Sequence, residues 1–354
     1  MKFTVIGAGH GGQAMAGYIA LLGYETTLYN RTESVIESIK KNKGIELCDY
    51  INGKAENVSL TSNLSEALKD TNVVMISIPA NAHKDLAFNI APYIKDNHII
   101  VINPGRTLGA YYFKKHLKEF GCVASPIIAE TDTFMLTSRK IRNGLSAIMS
   151  LKKELYVAAD TSENTRKVCE MLSKPFSMVR DAQSYVYTSF ANIGSIFHPL
   201  PAIFNIGRIE NRDKYLHYKE GITPSICNLM EKLDCERVAL AKKLGVEVPD
   251  AKKWLENVYN SSGKDLYETL QNTTAYNGVL APTEISTRYI YEDITTGIVP
   301  MYCIAKQINS PHHILGLIIE LATEVFEYDF VKQGRFDVKD FVDELKLYNK
   351  EKIN

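Results

Sequence analysis

One short segment near the start of the chain constrains its fold more than any other. The apolar run KFTVI (2–6) leads directly into GAGHGG (7–12), and small and apolar side chains then follow at helical spacing up to about residue 24. A buried strand, a glycine-rich turn and a helix in immediate succession are typical of the first unit of a Rossmann domain. The segment therefore predicts a parallel sheet that includes this strand.

Later segments repeat the alternation of strand and helix. TTLYN (26–30) is predicted to be a second strand. NVVMISIPA (72–80) and HIIVINPG (98–105) are two more, each an apolar run closed by Pro or Pro-Gly. Strands that are apolar on both faces and separated by helices predict a parallel sheet covered on both sides. Residues 1–180 are therefore predicted to form an α/β Rossmann domain with a doubly wound parallel sheet.

The second half of the chain has a different pattern. Residues 225–246 and 312–331 are long stretches in which apolar residues alternate with charged ones at helical spacing. Helix starts are indicated at Thr223 and Ser310, where a capping hydroxyl precedes a proline. We therefore predict that residues 181–354 form an all-α C-terminal domain.

Charge and cysteine content exclude several classes of protein. Among 354 residues, 41 Lys and Arg balance 41 Asp and Glu, which removes the electrostatic argument for a nucleic-acid or membrane-surface partner. No apolar stretch approaches the roughly 20 residues that span a bilayer, and the first strand leaves no room for a signal peptide. The six cysteines form no CxxC pair, which favours free thiols in a reducing compartment over disulfides or metal ligands. The prediction is a cytoplasmic chain without a metal site.

The glycine-rich turn predicts where a dinucleotide cofactor binds. In the GxGxxG pattern, Gly7 permits a tight turn, Gly9 lets the backbone approach a pyrophosphate, and Gly12 allows the helix to pack closely on the strand. His10 and Gly11 complete the predicted binding loop. The phosphates would lie at the N-terminus of the helix, where unpaired N–H groups and the helix dipole favour anions. A glycine-rich turn without a ligand is the alternative.

The end of the second strand bears on the choice between NAD and NADP. An NAD-preferring site usually has Asp or Glu there, which accepts hydrogen bonds from the ribose 2′-hydroxyl. This chain has Asn30, Arg31 and Thr32 instead. A guanidinium can bind a 2′-phosphate through two hydrogen bonds, whereas a carboxylate would repel it. The sequence therefore favours NADP, while dual specificity and a purely solvated Arg31 are the alternatives.

Two further strand ends are predicted to border the same cofactor. Ligands of such sheets bind beyond the carboxyl ends of the strands, where IPANAH (78–83) and NPGRTLGA (103–110) lie. The alternative is that the Pro-Gly pair forms only a turn. The predicted contacts are Pro79, Asn103, Gly105 and Arg106.

The apolar run NIGSIFHPLPAIFN (192–205) contains a single histidine, His198, as candidate proton donor. An enzyme that reduces C=O or C=N with a nicotinamide needs such a donor, and usually a cation for a substrate carboxylate. Asp293 could orient the imidazole and keep it protonated, because a nearby carboxylate raises the pKa of a histidine. Arg288 could bind a carboxylate through two parallel hydrogen bonds. A core histidine with a satisfied hydrogen bond is the alternative.

Five segments, in order along nearly the whole chain, resemble the opine dehydrogenase family of the octopine/nopaline type. The resemblance implies a Rossmann domain that carries the nicotinamide cofactor and a helical domain that carries the substrate chemistry. It also implies the reaction, in which an L-amino acid and a 2-keto acid such as pyruvate form an imine that is reduced to an N-(carboxyalkyl) amino acid. The segments are GAGHGG (7–12), NPGRTLGA (103–110), FHPLPAIFN (197–205), EGITPSICNLMEKLDCERVALAKKLG (220–245) and APTEISTRYIYEDITTGIVP (281–300).

The resemblance also implies roles for individual residues. The family's catalytic histidine, aspartate and arginine fall on His198, Asp293 and Arg288. The predicted substrate contacts are Arg288, Glu130 and Asn192. Two features differ from the family pattern: His10 stands where Asn is more common, and ETDTFMLTSRK (130–140) differs from the usual sequence near the substrate amine. Glu130 could bind an ammonium group there, or it could be a solvated residue at a strand end.

Two other classes of protein share part of this pattern. A ketopantoate or 2-hydroxy-acid reductase has the same layout but usually relies on a lysine in the helical domain, and no lysine here has a comparable apolar setting. A protein that senses NADP without turnover would need the glycine loop and Arg31, but not the three catalytic candidates together. The predicted partners are small molecules, with a homodimer as one possible assembly.

Overall fold

The computed structural model describes residues 1–343, so the last eleven residues of the predicted second domain lie outside the described part. The chain divides into two compact units. The first comprises Met1–Gly105 and Gly109–Thr188. The second comprises Arg106–Leu108 and, within the described part, the residues from 189 to 343.

The first unit contains the predicted doubly wound sheet. It has eight strands, in the spatial order β12-β11-β8-β7-β6-β1-β2-β5, and every neighbouring pair is parallel except β8 and β11. Alternate residues of β6 pack into different clusters: Val73 and Met75 lie in one core, Val74 and Ile76 in the other. Both faces are therefore buried, which explains the continuous apolar runs. The strands are β1 (Lys2–Ile6), β2 (Glu25–Tyr29), β5 (Val58–Thr61), β6 (Val73–Ile76), β7 (Ile99–Ile102), β8 (Ile127–Thr131), β11 (Leu155–Ala159) and β12 (Val179–Asp181).

A second, smaller sheet in this unit was not predicted. Its order is β4-β3-β10-β9, and its strands are β3 (Ile45–Asp49), β4 (Gly53–Ala55), β9 (Leu136–Arg142) and β10 (Leu145–Leu151). It packs against the helix that follows the glycine turn, where Ile45 and Leu47 contact Gly17. The helices of the unit are α1 (His10–Leu21), α2 (Glu33–Lys41), α3 (Leu64–Leu68), α4 (His83–Ile90), α5 (Gly109–Glu119) and α6 (Ser162–Leu172). A further helix, α7 (Tyr185–Phe190), crosses the division between the units.

The second unit is helical, as predicted. Thr223 caps the helix Pro224–Lys243 (α11), since its hydroxyl accepts a hydrogen bond from the Ile226 N–H at 3.4 Å. The N–H groups of Ile314 and Leu315 at the start of α16 donate instead to the buried Glu236 carboxylate, both at 2.9 Å. The predicted cap at Ser310 is therefore wrong. The helices are α8 (Gly194–Phe197), α9 (Pro199–Phe204), α10 (Ile206–Glu210), α11 (Pro224–Lys243), α12 (Ala251–Tyr259), α13 (Leu266–Asn272), α14 (Arg288–Asp293), α15 (Val299–Gln307), α16 (His313–Phe326) and α17 (Phe330–Gln333).

Between α14 and α15 the chain makes a π-helical turn, Ile294–Ile298. π-helical turns are rare in proteins, and those that are found lie frequently at functional sites. Within the described residues, no helix is both long and apolar enough to cross a membrane.

Candidate active site

The geometry of the glycine loop follows from close backbone packing. Gly7 has a φ of +106°, and its N–H donates to the Tyr29 carbonyl at 2.8 Å. A Cβ on Gly12 would lie 1.8 Å from the Gly7 carbonyl oxygen, so only glycine lets α1 start this close to β1. A Cβ on Gly9 would have no heavy atom within 4 Å. The loop is therefore open at Gly9, at the N-terminus of α1, and fits the pyrophosphate of a dinucleotide.

The other two loop residues are held by the smaller sheet. The His10 ring accepts a hydrogen bond at Nδ1 from the Lys140 N–H at 3.0 Å, so a neutral imidazole carries its proton on Nε2. A Cβ on Gly11 would lie 2.3 Å from the ring of Phe134. These contacts join β9, and the residues just before it, to the glycine loop. Sequence reasoning missed Phe134 and Lys140, because nothing local marks a segment that lies over 120 residues further along the chain.

The end of β2 leaves one cation available. Asn30 accepts a hydrogen bond from the Ala8 N–H at 3.1 Å and donates one to the Thr32 carbonyl at 3.3 Å, so its side chain ties the glycine loop to β2. Arg31 and Thr32 are exposed. Within residues 1–343, Arg31 forms no ion pair with a carboxylate. This guanidinium is therefore free to bind an anionic group at the carboxyl end of β2.

The remaining predicted cofactor residues of the first unit lie at the ends of β6 and β7. Pro79 is exposed just after β6. Asn103 is buried after β7, and its side-chain oxygen accepts a hydrogen bond from the Met135 N–H at 3.2 Å. Its Nδ2 has no hydrogen-bond partner among the described residues. A Cβ on Gly105 would lie 2.5 Å from the Glu130 carboxylate, which explains the glycine there.

Glu130 is completely buried in the first unit. Its carboxylate accepts hydrogen bonds from the Ala110 N–H at 2.7 Å and from the Thr188 hydroxyl at 2.6 Å. The first of these lies in the first turn of α5, where a negative charge is favoured by the helix dipole. The interpretation of Glu130 as a solvated strand-end residue is therefore wrong, and its contact with substrate stays a prediction.

In the second unit, His198 lies at the junction of α8 and α9 and is 8% exposed. Its Nδ1 is 2.7 Å from Asp293 Oδ2, and its Nε2 is 3.1 Å from the Tyr218 hydroxyl oxygen. The imidazole stacks on Tyr289, with ring centroids 4.1 Å apart and an interplanar angle of 10°. With Nδ1–H donating to the carboxylate, Nε2 is the atom able to accept or donate a proton.

The structure places Arg106 beside Asp293. Its Nη1 is 3.2 Å from Asp293 Oδ1 and 3.4 Å from Asn192 Oδ1, and its Nε is 3.5 Å from Glu292 Oε1. We predicted Arg106 as a contact of the cofactor, because its loop lies beyond the carboxyl end of a strand, where ligands of such sheets bind. The contacts seen are with the second unit, to which Arg106–Leu108 belong. Asn192 also donates to the Thr107 hydroxyl at 3.4 Å, so both ends of its amide are engaged within the protein.

Arg288, the first residue of α14, has an exposed guanidinium 5.9 Å from the Tyr289 ring. Within the part of the chain that the structure describes, no carboxylate forms an ion pair with it. Its positive charge nevertheless lowers the pKa of both His198 and Asp293, which places it within electrostatic reach of the pair. Among residues 1–343, Arg288 is therefore a cation near this pair without a carboxylate partner.

Burial and neighbouring charges act in opposite directions on the pKa of each partner, and both pKa values are lowered. Burial lowers the pKa of His198 below its ordinary value, and it outweighs the charge and hydrogen bond of Asp293, which act to raise the pKa. Burial acts to raise the pKa of Asp293, but Arg106 and His198 hold it well below the ordinary range. The expectation that Asp293 keeps His198 protonated is therefore wrong, because desolvation of the imidazole is the larger effect.

Comparison with known proteins identifies the family. The family model of the NAD/NADP octopine/nopaline dehydrogenase α-helical domain matches residues 181–326. The family model of the N-terminus of NAD-dependent glycerol-3-phosphate dehydrogenase matches residues 2–105. The chain is 33% identical over 335 residues to the opine dehydrogenase of Arthrobacter sp. (strain 1C), covering 94% of this chain and 93% of that protein. The chain belongs to the opine dehydrogenase family. It is an NAD(P)-dependent oxidoreductase, and the resemblance seen in the sequence is confirmed.

Solved structures of octopine dehydrogenase share the fold of this chain. Octopine dehydrogenase in complex with NADH and agmatine gives a TM-score of 0.77 at 18% identity, covering 95% of this chain and 94% of that one. Its complex with NADH and L-arginine gives 0.75 at 20% identity, covering 92% and 90%. Its complex with NADH and pyruvate gives 0.72 at 19% identity, covering 95% and 94%. The predicted α/β domain followed by a helical domain is confirmed.

Aromatic residues around His198 are part of the site that sequence reasoning missed. Tyr218 stacks on Tyr276 with ring centroids 3.8 Å apart, and His217 packs edge-on against Tyr218 at 4.8 Å. Burial raises the pKa of Tyr218 well above its ordinary value, so its hydroxyl stays a neutral hydrogen-bond donor to His198. The sequence offers no signal for these residues, since they lie in short segments without periodicity.

His217 gives a prediction for stability. Burial lowers the pKa of His217 from 6.5 to about 3, so between these values the unfolded chain binds a proton that the folded chain does not. The free energy of unfolding must therefore fall as the pH falls through this range. We expect the stability of the wild type, relative to that of His217→Phe, to drop by roughly 3 kcal/mol between pH 7 and pH 4. Urea unfolding of both proteins at the two pH values measures this, and a constant difference would contradict the neutral His217.

Proposed function

We propose that this chain catalyses the reductive condensation of the amino group of an L-amino acid with a 2-keto acid such as pyruvate, and the reverse oxidation. The amine and the carbonyl lose water to form an imine, which takes up a hydride and a proton to give an N-(carboxyalkyl) amino acid. The observation that carries the proposal is the buried His198–Asp293 pair, 2.7 Å apart, together with the exposed cation of Arg288, whose charge acts on that pair. Octopine dehydrogenase binds NADH with L-arginine or with pyruvate, which supports this choice of substrates.

His198 moves the proton in this proposal. With Nδ1–H fixed on Asp293, the free protein presents Nε2 as a base in opine oxidation, and the protonated ring donates from the same atom in the condensation. The Tyr218 hydroxyl oxygen lies 3.1 Å from Nε2. In this proposal a substrate atom forms a hydrogen bond with Nε2, either together with this hydroxyl or in place of it. Asp293 stabilises the imidazolium that forms, because its own pKa is low enough to keep it charged.

Arg288 binds the substrate carboxylate in this proposal. An exposed guanidinium without a carboxylate partner loses no ion pair when it takes up an anion, and its planar fork can bind both oxygens. Asn192 was predicted to contact substrate as well. Its amide is already engaged with Arg106 and Thr107, so we infer that it supports Arg106 and does not bind substrate itself.

The first unit binds the cofactor in this proposal, through the open glycine loop at Gly9 and the exposed Arg31. NADPH or NADH, when bound, supplies the hydride. The residues that would hold its phosphates are Gly7, Gly9, His10, Gly11 and Gly12. Arg31 would bind the 2′-phosphate of NADPH, with Asn30 tying the loop in place.

The choice of cofactor can be tested at Arg31. Replacing Arg31 by alanine should raise the KM for NADPH about tenfold or more and that for NADH less than about twofold, because only NADPH carries the phosphate. Arg166→Ala removes an exposed arginine on α6 of the same unit and is the matched control. Equal changes for the two cofactors would show that Arg31 does not read the 2′-phosphate.

The product decides between this function and the reduction of a keto acid to a hydroxy acid. An L-amino acid labelled with ¹⁵N is incubated with pyruvate and NADPH, and the products are separated by mass spectrometry. We expect a secondary amine that keeps the label and contains the carbon skeleton of pyruvate. Lactate as the product, with the labelled amino acid unchanged, would contradict the proposal. The cytoplasmic location and the homodimer stay predictions that these experiments do not test.

A further inference from the structure

We propose that Arg106 is a positioning residue of this active site, whose guanidinium holds Asp293 against His198 and sets the charge around the imidazole. The inference rests on the proposed function, in which His198 moves the proton. Arg106 is 8% exposed, and its guanidinium contacts Asp293, Glu292 and Asn192, all in the second unit.

Asp293 has one oxygen for each partner. Oδ2 faces His198 Nδ1 at 2.7 Å and Oδ1 faces Arg106 Nη1 at 3.2 Å. Rotation of the carboxylate would therefore break both contacts, which fixes its orientation and that of the imidazole. The space for this arrangement depends on Gly194, where a Cβ would lie 2.6 Å from Arg106 Nη1 and 3.1 Å from Asp293 Oδ1.

The backbone at Arg106 is strained and firmly anchored. Arg106 and Leu108 have φ angles of +61° and +59°, a backbone conformation that residues other than glycine rarely adopt. Three hydrogen bonds to the backbone of Thr107 and Leu108 offset this strain. The Thr107 N–H donates to the Thr296 carbonyl in the π-helical turn at 3.1 Å, Arg335 donates to the Thr107 carbonyl at 2.5 Å, and the Leu108 N–H donates to the Ser189 hydroxyl at 2.9 Å. Strained residues held in this way are common at functional sites.

The charges that face His198 determine in which direction its pKa changes when Arg106 is replaced. The charges of Asp293 and Arg288 reach the imidazole from α14, and that of Arg106 from the loop after β7. The groups that face the ring as neutral side chains are His217, Tyr218 and the stacked Tyr289. The positive charge of Arg106 lowers the pKa of both His198 and Asp293. Without that charge, the pKa of His198 must rise. Condensation activity falls and oxidation activity rises as the pH increases through the pKa of His198. The pH midpoints of both changes should therefore shift to higher pH.

Three variants test this. Arg106→Gln removes the charge, and we expect its pH midpoint for opine oxidation to rise by about one unit or more, with kcat at least about tenfold lower and the KM for the cofactor within about twofold. Arg106→Lys keeps the charge without the fork, so its midpoint should stay near that of the wild type. Arg237→Gln removes another buried arginine of the second unit, one paired with Asp234 at 2.7 Å, and should leave the midpoint unchanged.

Further measurements keep the test independent of folding and of turnover. If Arg106→Gln does not fold, Glu292→Gln removes the opposite charge beside Arg106 and should shift the midpoint downward. The ring signal of His198, assigned in labelled protein by its loss in His198→Asn, reports the same titration without substrate. A higher KM for the cofactor with an unshifted midpoint would overturn the inference and make Arg106 a cofactor contact. Failure of every substrate pair would overturn the proposed function, while the ring titration still tests Arg106.

Discussion

Replacing His198 by asparagine is expected to lower kcat for both condensation and opine oxidation by about a hundredfold or more. Asparagine can keep a hydrogen bond to Asp293 but has no group that titrates in the physiological range. The substitution therefore removes proton transfer while it leaves the glycine loop intact. Steady-state rates in both directions, together with titration of NADPH by fluorescence, measure the two effects separately.

The control for this variant is His312→Asn, which changes a histidine of the same unit outside the contacts of Asp293. Its ring bonds to the Ser310 carbonyl at 2.7 Å and packs on Tyr302, so we expect a rate close to that of the wild type. An unchanged rate in His198→Asn itself would remove His198 from the mechanism and leave it a core histidine.

Replacing Arg288 by leucine is expected to raise the KM for the keto acid by about a hundredfold or more, because two charge-assisted hydrogen bonds are lost. Arg288→Lys keeps the charge without the planar fork and should raise it by roughly tenfold. Since the Arg288 side chain is exposed and forms no ion pair with a carboxylate of residues 1–343, neither variant should lower the thermal midpoint appreciably. Initial rates at varied pyruvate concentration give both values.

A carbonyl substrate without a carboxylate provides the matched test for Arg288. If the guanidinium binds the carboxylate, the wild type and Arg288→Leu should use such a substrate with similar kcat/KM. An equal loss for pyruvate and for the neutral substrate would show that Arg288 acts on the charge of His198 or on the fold, and not on the carboxylate.

Local patterns were sufficient for much of the first unit. The strands β1, β6 and β7 are marked by apolar runs, and the glycine loop is marked by its spacing. The contacts that require some of these glycines are distant in sequence, since Gly7 packs against Ser77 and Gly11 against Phe134. The smaller sheet was missed because β9 mixes polar and apolar residues (LTSRKIR) and β10 pairs with β3, a strand about a hundred residues earlier. Pairing of this kind leaves no local signal.

The active site shows the same division. His198, Asp293 and Arg288 were named through a family resemblance, and the structure brings His198 and Asp293 together across 95 residues of sequence. Arg106 was placed with the cofactor because the sequence does not show that the chain joins the second unit immediately after Gly105. The direction of the His198 pKa was also missed, because burial is a tertiary property that a neighbouring carboxylate cannot reveal.

The central claim is tested most directly by the consumption of NADPH and of NADH with pyruvate, in the presence and absence of each of a panel of L-amino acids. The account predicts oxidation of the cofactor only when an amino acid and the keto acid are both present, and the active amino acid then names the substrate. Oxidation with pyruvate alone, at a rate that no amino acid changes, would contradict the account and indicate a hydroxy-acid dehydrogenase.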